Sequence, residues 1–267
     1  MNVEGQGTKH SHTPAVVGVI PARYASTRLP AKPLVDLCGK PMLQHVYERA
    51  RTASLLDRVV IATDDNRIAD AVGNFGGECV MTSPDIRSGS DRVAFVAKSL
   101  AGAGVIVNIQ GDEPLISPQM IDEAIRPMLQ GSSYQVVTPV KVIASAEELH
   151  NPGIVKVVLD RDGYAMYFSR AAIPFSRDGS AVDGGRLRDV YYKHIGLYVF
   201  AREVLMQFST WQESTLERIE KLEQLRLLEY GCRIKTVVTS YDSIPVDTAE
   251  DAERVRTIMK QTGGSKR

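Results

Sequence analysis

Little in this sequence marks a disulfide-built, membrane-spanning or thiolate-ligated protein. Its three cysteines, Cys38, Cys79 and Cys232, are far apart and form no CxxC pair. That argues against a disulfide framework and a cysteine metal site, and it fits a reducing, cytoplasmic compartment. No apolar run approaches the ~20 residues that a membrane span needs, and the five histidines form no HExxH. Neither GxGxxG nor GxxxxGK[ST] occurs, which speaks against a Rossmann dinucleotide site and a Walker loop. Formal net charge is zero, from 32 basic and 32 acidic residues, so general attraction to nucleic acid or a membrane surface is not expected. Residues 1–14 lack a hydrophobic centre and read as a flexible tail rather than a signal peptide.

Glycine is also missing where a nucleotide loop would usually have it. The stretch "IPARYASTRLPAKPL" (20–34) holds Arg23, Arg28 and Lys32 with Ser26, Thr27 and Tyr24 as polar company, directly after the apolar run "AVVGVI". In a chain without net charge, such clustering is a local arrangement. It offers polyphosphate a guanidinium fork, a point-charge ammonium and backbone N–H groups. The bland alternative is a decorated surface loop.

Short β-branched runs alternate with amphipathic segments through the first half: "AVVGVI", "RVVIAT" (58–63), "GVIVNI" (104–109) and "QVVTPV" (135–140) are strand-like, with helical spacing between them. This predicts an α/β fold with a mainly parallel central sheet and helices on both faces. The tail would precede a single domain over 15–263. Within it, 151–200 reads as an inserted β-rich region, with a hairpin turning at 160–163, a loop over 176–189 and a strand at "YYKHIGLYVF" (191–200). One helix is expected over 214–230, opened by a Ser214/Glu217 capping box. Another is expected from about Thr248.

Ligands of open α/β sheets gather beyond the carboxyl ends of the strands. The cation loop, "QGDEP" (110–114) and "IPVDTAED" (244–251) all follow strand-like runs and should converge. Asp112 is a candidate ligand for a hard cation such as Mg²⁺, which takes few carboxylates beside substrate phosphates, or a turn residue before Pro114. Asp247 is the natural second ligand, but a helix cap is the favoured reading, with Thr248 as competitor. Glu220 and Gln224, four apart, would share one helix face, either toward a polyhydroxy substrate or toward solvent. His194, among apolar neighbours, is read first as structural.

The segments "IPARYASTRLPAKPL", "DIRSGSDR", "VNIQGDEP", "NPGIVKVVLDRDGYAMYFSRAAIPF", "HIGLYVF", "LERIEKLEQLRLLEYG" and "VDTAEDAERV", taken in order, resemble the 3-deoxy-manno-octulosonate cytidylyltransferase (CMP-KDO synthetase) family from about residue 16 to 259. The resemblance implies a nucleotidyltransferase fold, a homodimer paired through the inserted region, and Mg²⁺-dependent transfer of CMP from CTP to KDO with release of pyrophosphate. It implies a triphosphate loop of Arg23, Ser26, Arg28 and Lys32, a cytidine contact at Ser88 and Gly89, and metal ligands Asp112 and Asp247. It also implies that Gln110 faces the sugar and that Arg170, His194, Glu220 and Gln224 line its pocket. The chain departs from the family's pattern in having Ile86 where His is common and "SGSDR" for "SGTDR". An amino-substituted KDO analogue or a sialic acid as acceptor, and a silent nucleotide-binding paralogue, are the alternatives.

Overall fold

The computed structural model describes residues 15–25, 28–86, 88–130, 134–177 and 190–263; the N-terminal tail and Ser26 lie outside them. The chain runs β1 (Ala15–Ala22), a 3-10 turn (Lys32–Leu34), β2 (Asp36–Leu37), β3 (Lys40–Pro41), α1 (Met42–Arg51), β4 (Arg58–Thr63), α2 (Asn66–Asn74) and β5 (Cys79–Met81). It continues through α3 (Gly89–Ser99), β6 (Ala103–Asn108), α4 (Pro118–Leu129), β7 (Val136–Val142), α5 (Ala146–His150), β8 (Lys156–Leu159), β9 (Ala165–Ser169), β10 (Tyr192–His194) and β11 (Tyr198–Ala201). It closes with α6 (Arg202–Phe208), α7 (Thr215–Glu220), α8 (Gln224–Glu229), β12 (Ile234–Val238) and α9 (Ala249–Gly263). Among the described residues no helix is long and apolar enough to cross a membrane.

One large sheet carries the strand order β5-β4-β1-β6-β11-β7-β10-β8-β9, with β12 beside β7. Its first half is the expected parallel core: β4 and β6 flank β1, and β5 lies on β4, all parallel. The other half is mixed, because β11, β10, β8 and β9 join antiparallel while β12 runs parallel to β7. β1 is buried along nearly its whole length, as a central strand covered on both faces must be. Its alternating side chains divide between two cores. Val17 and Val19 pack with α3 and the antiparallel half, whereas Val16 and Ile20 pack with α1 and α4.

Two local expectations are corrected. "YYKHIGLYVF" is not one strand: β10 ends at His194 and β11 starts at Tyr198, and although both pair with β7, β10 also pairs with β8 and β11 with β6. The gap is held by Thr138, whose hydroxyl lies 2.8 Å from the Leu197 carbonyl and 3.3 Å from that of Ile195. The helix expected over 214–230 is also broken. Lys221 takes a left-handed φ of 56° and ends α7, and α8 restarts at Gln224. The break lies between Glu220 and Gln224, so the shared helix face expected of them does not exist. The hairpin turn does form, with Gly163 at φ 72° supplying the conformation L-residues avoid.

Candidate active site

Three strand or turn ends meet at Lys32. Its ammonium lies 2.5 Å from Asp112 Oδ2 and 2.8 Å from Asp247 Oδ1, and Arg28 Nη2 reaches the same Asp247 oxygen at 3.0 Å. Burial by itself would lower the Lys32 pKa, but Asp112 and then Asp247 outweigh it and hold the ammonium above its ordinary value. Two packing features fix this meeting. A Cβ on Gly111 would stand 2.9 Å from the Pro21 carbonyl, so only glycine lets the segment bearing Asp112 lie against the cation loop. Val246 and Val255 pack with Leu37 and Met42, and Val246 N–H donates to the Asp112 carbonyl at 2.9 Å. Asp247 is thereby tied beside the loop. The loop itself stores strain, since Ala31 adopts φ 53° without being glycine.

The helix-cap reading of Asp247 is overturned. Thr248 Oγ1 accepts from Asp251 N–H at 3.2 Å, and the Asp251 carboxylate accepts from the Asp247 and Thr248 N–H groups at 3.0 and 2.9 Å. The reciprocal cap of α9 is thus made by Thr248 and Asp251, which leaves the Asp247 side chain to face the cations.

Behind the loop, Arg23 donates to the Ile86 carbonyl. A main-chain oxygen is supplied by any residue, so the Ile86 departure does not touch this contact. Burial, then the nearby Arg92 charge, lowers the Arg23 pKa. Arg92 is fully buried and pairs with Asp64 at 2.8 Å. Sequence reading missed Asp64, although it directly follows strand β4, where the strand-end rule could have found it.

Two neighbouring cavities share Gln110 as a wall. One, of about 180 Å³, is lined by Arg23, Lys32 and Asp112 among others; the second, of about 260 Å³, by Gly89, Ser90, His194, Lys221, Glu223 and Gln224 among others. Ser88 caps α3, accepting from Asp91 N–H at 3.0 Å, and lines a third cavity of about 470 Å³ that shares Lys221 and Glu223 with the second. Arg170 and Glu220 are not in the lining of the second cavity. The Glu220 carboxylate accepts from Ser169 Oγ at 2.6 Å and Arg170 N–H at 3.0 Å, while the Arg170 guanidinium donates to the carbonyls of Glu220 and Pro152 at 2.9 and 3.1 Å. Asn108, a lone amide in an apolar run, also lines the second cavity and was not foreseen.

His194 packs edge-on to Phe168 and beside Tyr198, and burial pushes its pKa down to about 3. Thr138 has one hydroxyl proton, and the nearby Leu197 carbonyl can only accept it. His194 Nε2 therefore donates to Thr138 Oγ1 across 3.0 Å, and the neutral ring keeps Nδ1 as an acceptor. Because the folded state resists protonation, stability falls as pH drops below the unfolded value near 6.5 and continues to fall toward the folded value. At pH 4.5 the loss from this group should be about 2–3 kcal/mol. Urea unfolding of wild type and His194→Gln between pH 7 and 4.5 checks this. The difference between their stabilities should narrow toward acid, and a constant difference would remove the assignment.

Two carboxylates converging on one cation, beside a cation loop at the end of a parallel strand, make a charged cleft suited to a polyphosphate, the class of site that a nucleotidyltransferase needs. The cytidylyltransferase family model matches residues 17–236. The 3-deoxy-manno-octulosonate cytidylyltransferase of Geobacter sulfurreducens is 51% identical over 251 residues, 92% of this chain and 99% of that protein. The protein of that name from Pelobacter propionicus is 51% identical over 247 residues, 90% and 96% of the two chains. A solved CMP:2-keto-3-deoxy-manno-octonic acid synthetase complexed with CTP superimposes with a TM-score of 0.86 at 42% identity, covering 93% of this chain and 99% of that one. A 4-diphosphocytidyl-2C-methyl-D-erythritol synthase from Anaerococcus prevotii, at 12% identity and a TM-score of 0.62 over 93% and 97% of the two chains, shares the fold. The chain belongs to the 3-deoxy-manno-octulosonate cytidylyltransferase family. Cytidylyltransferases generally use a divalent metal.

Proposed function

We propose that this cleft transfers CMP from CTP to the anomeric hydroxyl of KDO, giving pyrophosphate and CMP-KDO for lipopolysaccharide biosynthesis. The observation that carries the reading is the convergence of Arg28 and Lys32 on Asp112 and Asp247. In the reaction the hydroxyl oxygen bonds to the α-phosphorus, the bond from that phosphorus to the β-phosphate bridging oxygen breaks, and the hydroxyl proton leaves to solvent. Such a step asks a protein mainly for positioning and charge neutralisation. Arg23, Arg28 and Lys32, with Ser26 in the same loop, bind the triphosphate and stabilise the departing pyrophosphate. Ser88 and Gly89 lie on the cytidine side.

The donor set fits Mg²⁺, because Asp112 and Asp247 are anionic oxygens close enough to share one ammonium and need only phosphate oxygens and water to complete a shell. When bound there, the ion would neutralise phosphate charge and lower the pKa of the attacking hydroxyl. Gln110, His194 and Gln224 contact the sugar, while Arg170 and Glu220 brace the cavity from behind. The enzyme works in the cytoplasm, in keeping with free thiols at Cys38, Cys79 and Cys232. It pairs as a homodimer through the region of β9, where Met166 and Phe175 are exposed.

Pyrophosphate release should be measured with a panel of KDO, its amino analogue and a sialic acid against four nucleoside triphosphates, with and without Mg²⁺. Turnover confined to CTP and KDO is expected. A preference for another sugar would move the acceptor, and no turnover with any pair would leave a silent paralogue. Within the reading, Gln224→Ala should raise the KM for KDO roughly tenfold, the scale of one lost hydrogen bond, with the KM for CTP unchanged. An equal rise for CTP would show that the residue acts on the cleft as a whole.

A further inference from the structure

The loop that delivers Asp247 to the cleft has no regular structure of its own: after β12, residues 239–247 form neither helix nor strand. Its two ends are held by the main chain. Thr239 N–H donates to the Val140 carbonyl at 2.9 Å, and Val246 N–H to the Asp112 carbonyl at 2.9 Å. Between them, Asp242 ties the loop to the sheet by charge. Its carboxylate lies 2.9 Å from Lys141 Nζ and 3.2 Å from Lys193 Nζ.

Lys141 on β7 and Lys193 on β10 are direct partners in the antiparallel register, where like charges repel and cost stability. The Lys193 side chain is only 11% exposed, which adds desolvation to the repulsion. Two acids offset both costs: Asp242 bridges the lysines, and Glu148 from α5 meets Lys193 at 2.7 Å. Burial alone would raise the Asp242 pKa, yet Lys141 and then Lys193 hold the carboxyl below its ordinary value. Facing ammonium groups are poor sheet chemistry by themselves, but they make a cradle for one carboxylate from a passing loop. None of these four side chains is in the lining of the three cavities described above, so contact with substrate does not account for them.

We propose that Lys141, Lys193 and Asp242 form a positioning clamp for Asp247, fixing its loop to the sheet so that its carboxylate stays beside Asp112. The assignment rests on the reading of Asp247 as a metal ligand. With the clamp closed, the loop enters the cleft from two fixed points, Asp242 on the lysines and Val246 on the Asp112 carbonyl. Without it, the Val246 bond and the packing of Ile244 and Val246 must hold Asp247, and the loop gains freedom that metal binding then has to remove.

Two measurements on the full chain test this. One is binding of the Mn²⁺–CTP complex without sugar, followed by water proton relaxation; the other is amide hydrogen exchange over 239–247 in the metal-free protein. Asp242→Asn should weaken the complex about 10-fold, the lower end of what losing a group that supports a metal ligand costs, and should speed exchange in that segment. Asp242→Glu keeps the charge and should recover part of both. Glu148→Gln removes the other acid of the cluster but leaves the tether, so it should lower thermal stability while keeping the complex within about twofold of wild type. If Asp242→Asn binds the complex as wild type does, leaves the exchange unchanged, or weakens binding no more than Glu148→Gln, the cluster is a structural one and the proposal is wrong, while the reading of the function stands. Asp247→Asn is the reference: if it binds the complex as tightly as wild type, Asp247 is no ligand, and that reading fails before the clamp is in question.

Discussion

Asp247→Asn is expected to unfold at the wild-type temperature and yet lose roughly 10²–10³ of its turnover, the scale of a lost electrostatic stabiliser. The stability half follows from the cap. Thr248 and Asp251 close the start of α9 between themselves, and the Asp247 side chain instead faces Lys32 and Arg28. Asparagine keeps the size and one carbonyl oxygen. It removes the anionic charge on which hard cations depend. Raising Mg²⁺, or supplying Mn²⁺, should therefore recover part of the activity, and Asp112→Asn should behave alike. Thermal melts and a metal titration at saturating CTP decide the matter. Normal turnover of Asp247→Asn at low Mg²⁺ would rule out a two-carboxylate metal site.

Lys32→Met should lower turnover by a similar factor, but it should also cost stability, about 1–3 kcal/mol. The sequence suggests an exposed loop charge whose removal folding would not notice. That holds for Arg28, whose side chain is 66% exposed, and fails for Lys32 at 14%. Without the ammonium, Asp112 and Asp247 face each other with no charge between them. Because the folded pKa of Lys32 is raised, its contribution is complete at neutral pH and is lost only as pH climbs past its unfolded value near 10.5. Denaturant unfolding at pH 7 should thus separate Lys32→Met from Arg28→Ala, with only the former destabilised. Wild-type turnover in Lys32→Met would dissolve the account of the cation loop.

The parallel half of the sheet was legible because its strands are continuous β-branched runs and its helices keep a 3.6 period. The strand-end rule brings the cation loop with Lys32, Asp112 and Asp247 near one another from sequence order alone. Two features were not legible, each for a local reason. The break at Lys221 carries no glycine or proline, so the apolar periodicity on either side reads straight through it. The cap at Thr248 competes with an equally good capper one residue earlier, and only the packing of Val246 and Val255 against Leu37 and Met42 turns Asp247 away. The gap between β10 and β11 has Gly196 as a faint signal, but the hydroxyl that holds it belongs to Thr138, 56 residues before His194.

The sheet's change of direction between β6 and β11 also sets where variation can be afforded. The cation loop, proposed above for the triphosphate, hangs on the parallel strands, whereas the second cavity, proposed for the acceptor, is built largely from the antiparallel half and the α7–α8 corner, and Gln110 stands at the seam. Substitutions on the antiparallel side should exchange one acceptor for another while leaving the handling of CTP intact. A library confined to that half would be expected to yield altered sugar preference far more often than altered nucleotide preference, and one confined to the cation loop to yield mostly inactive chains. Acceptor choice and nucleotide chemistry can in this way diverge at separate rates within one continuous sheet.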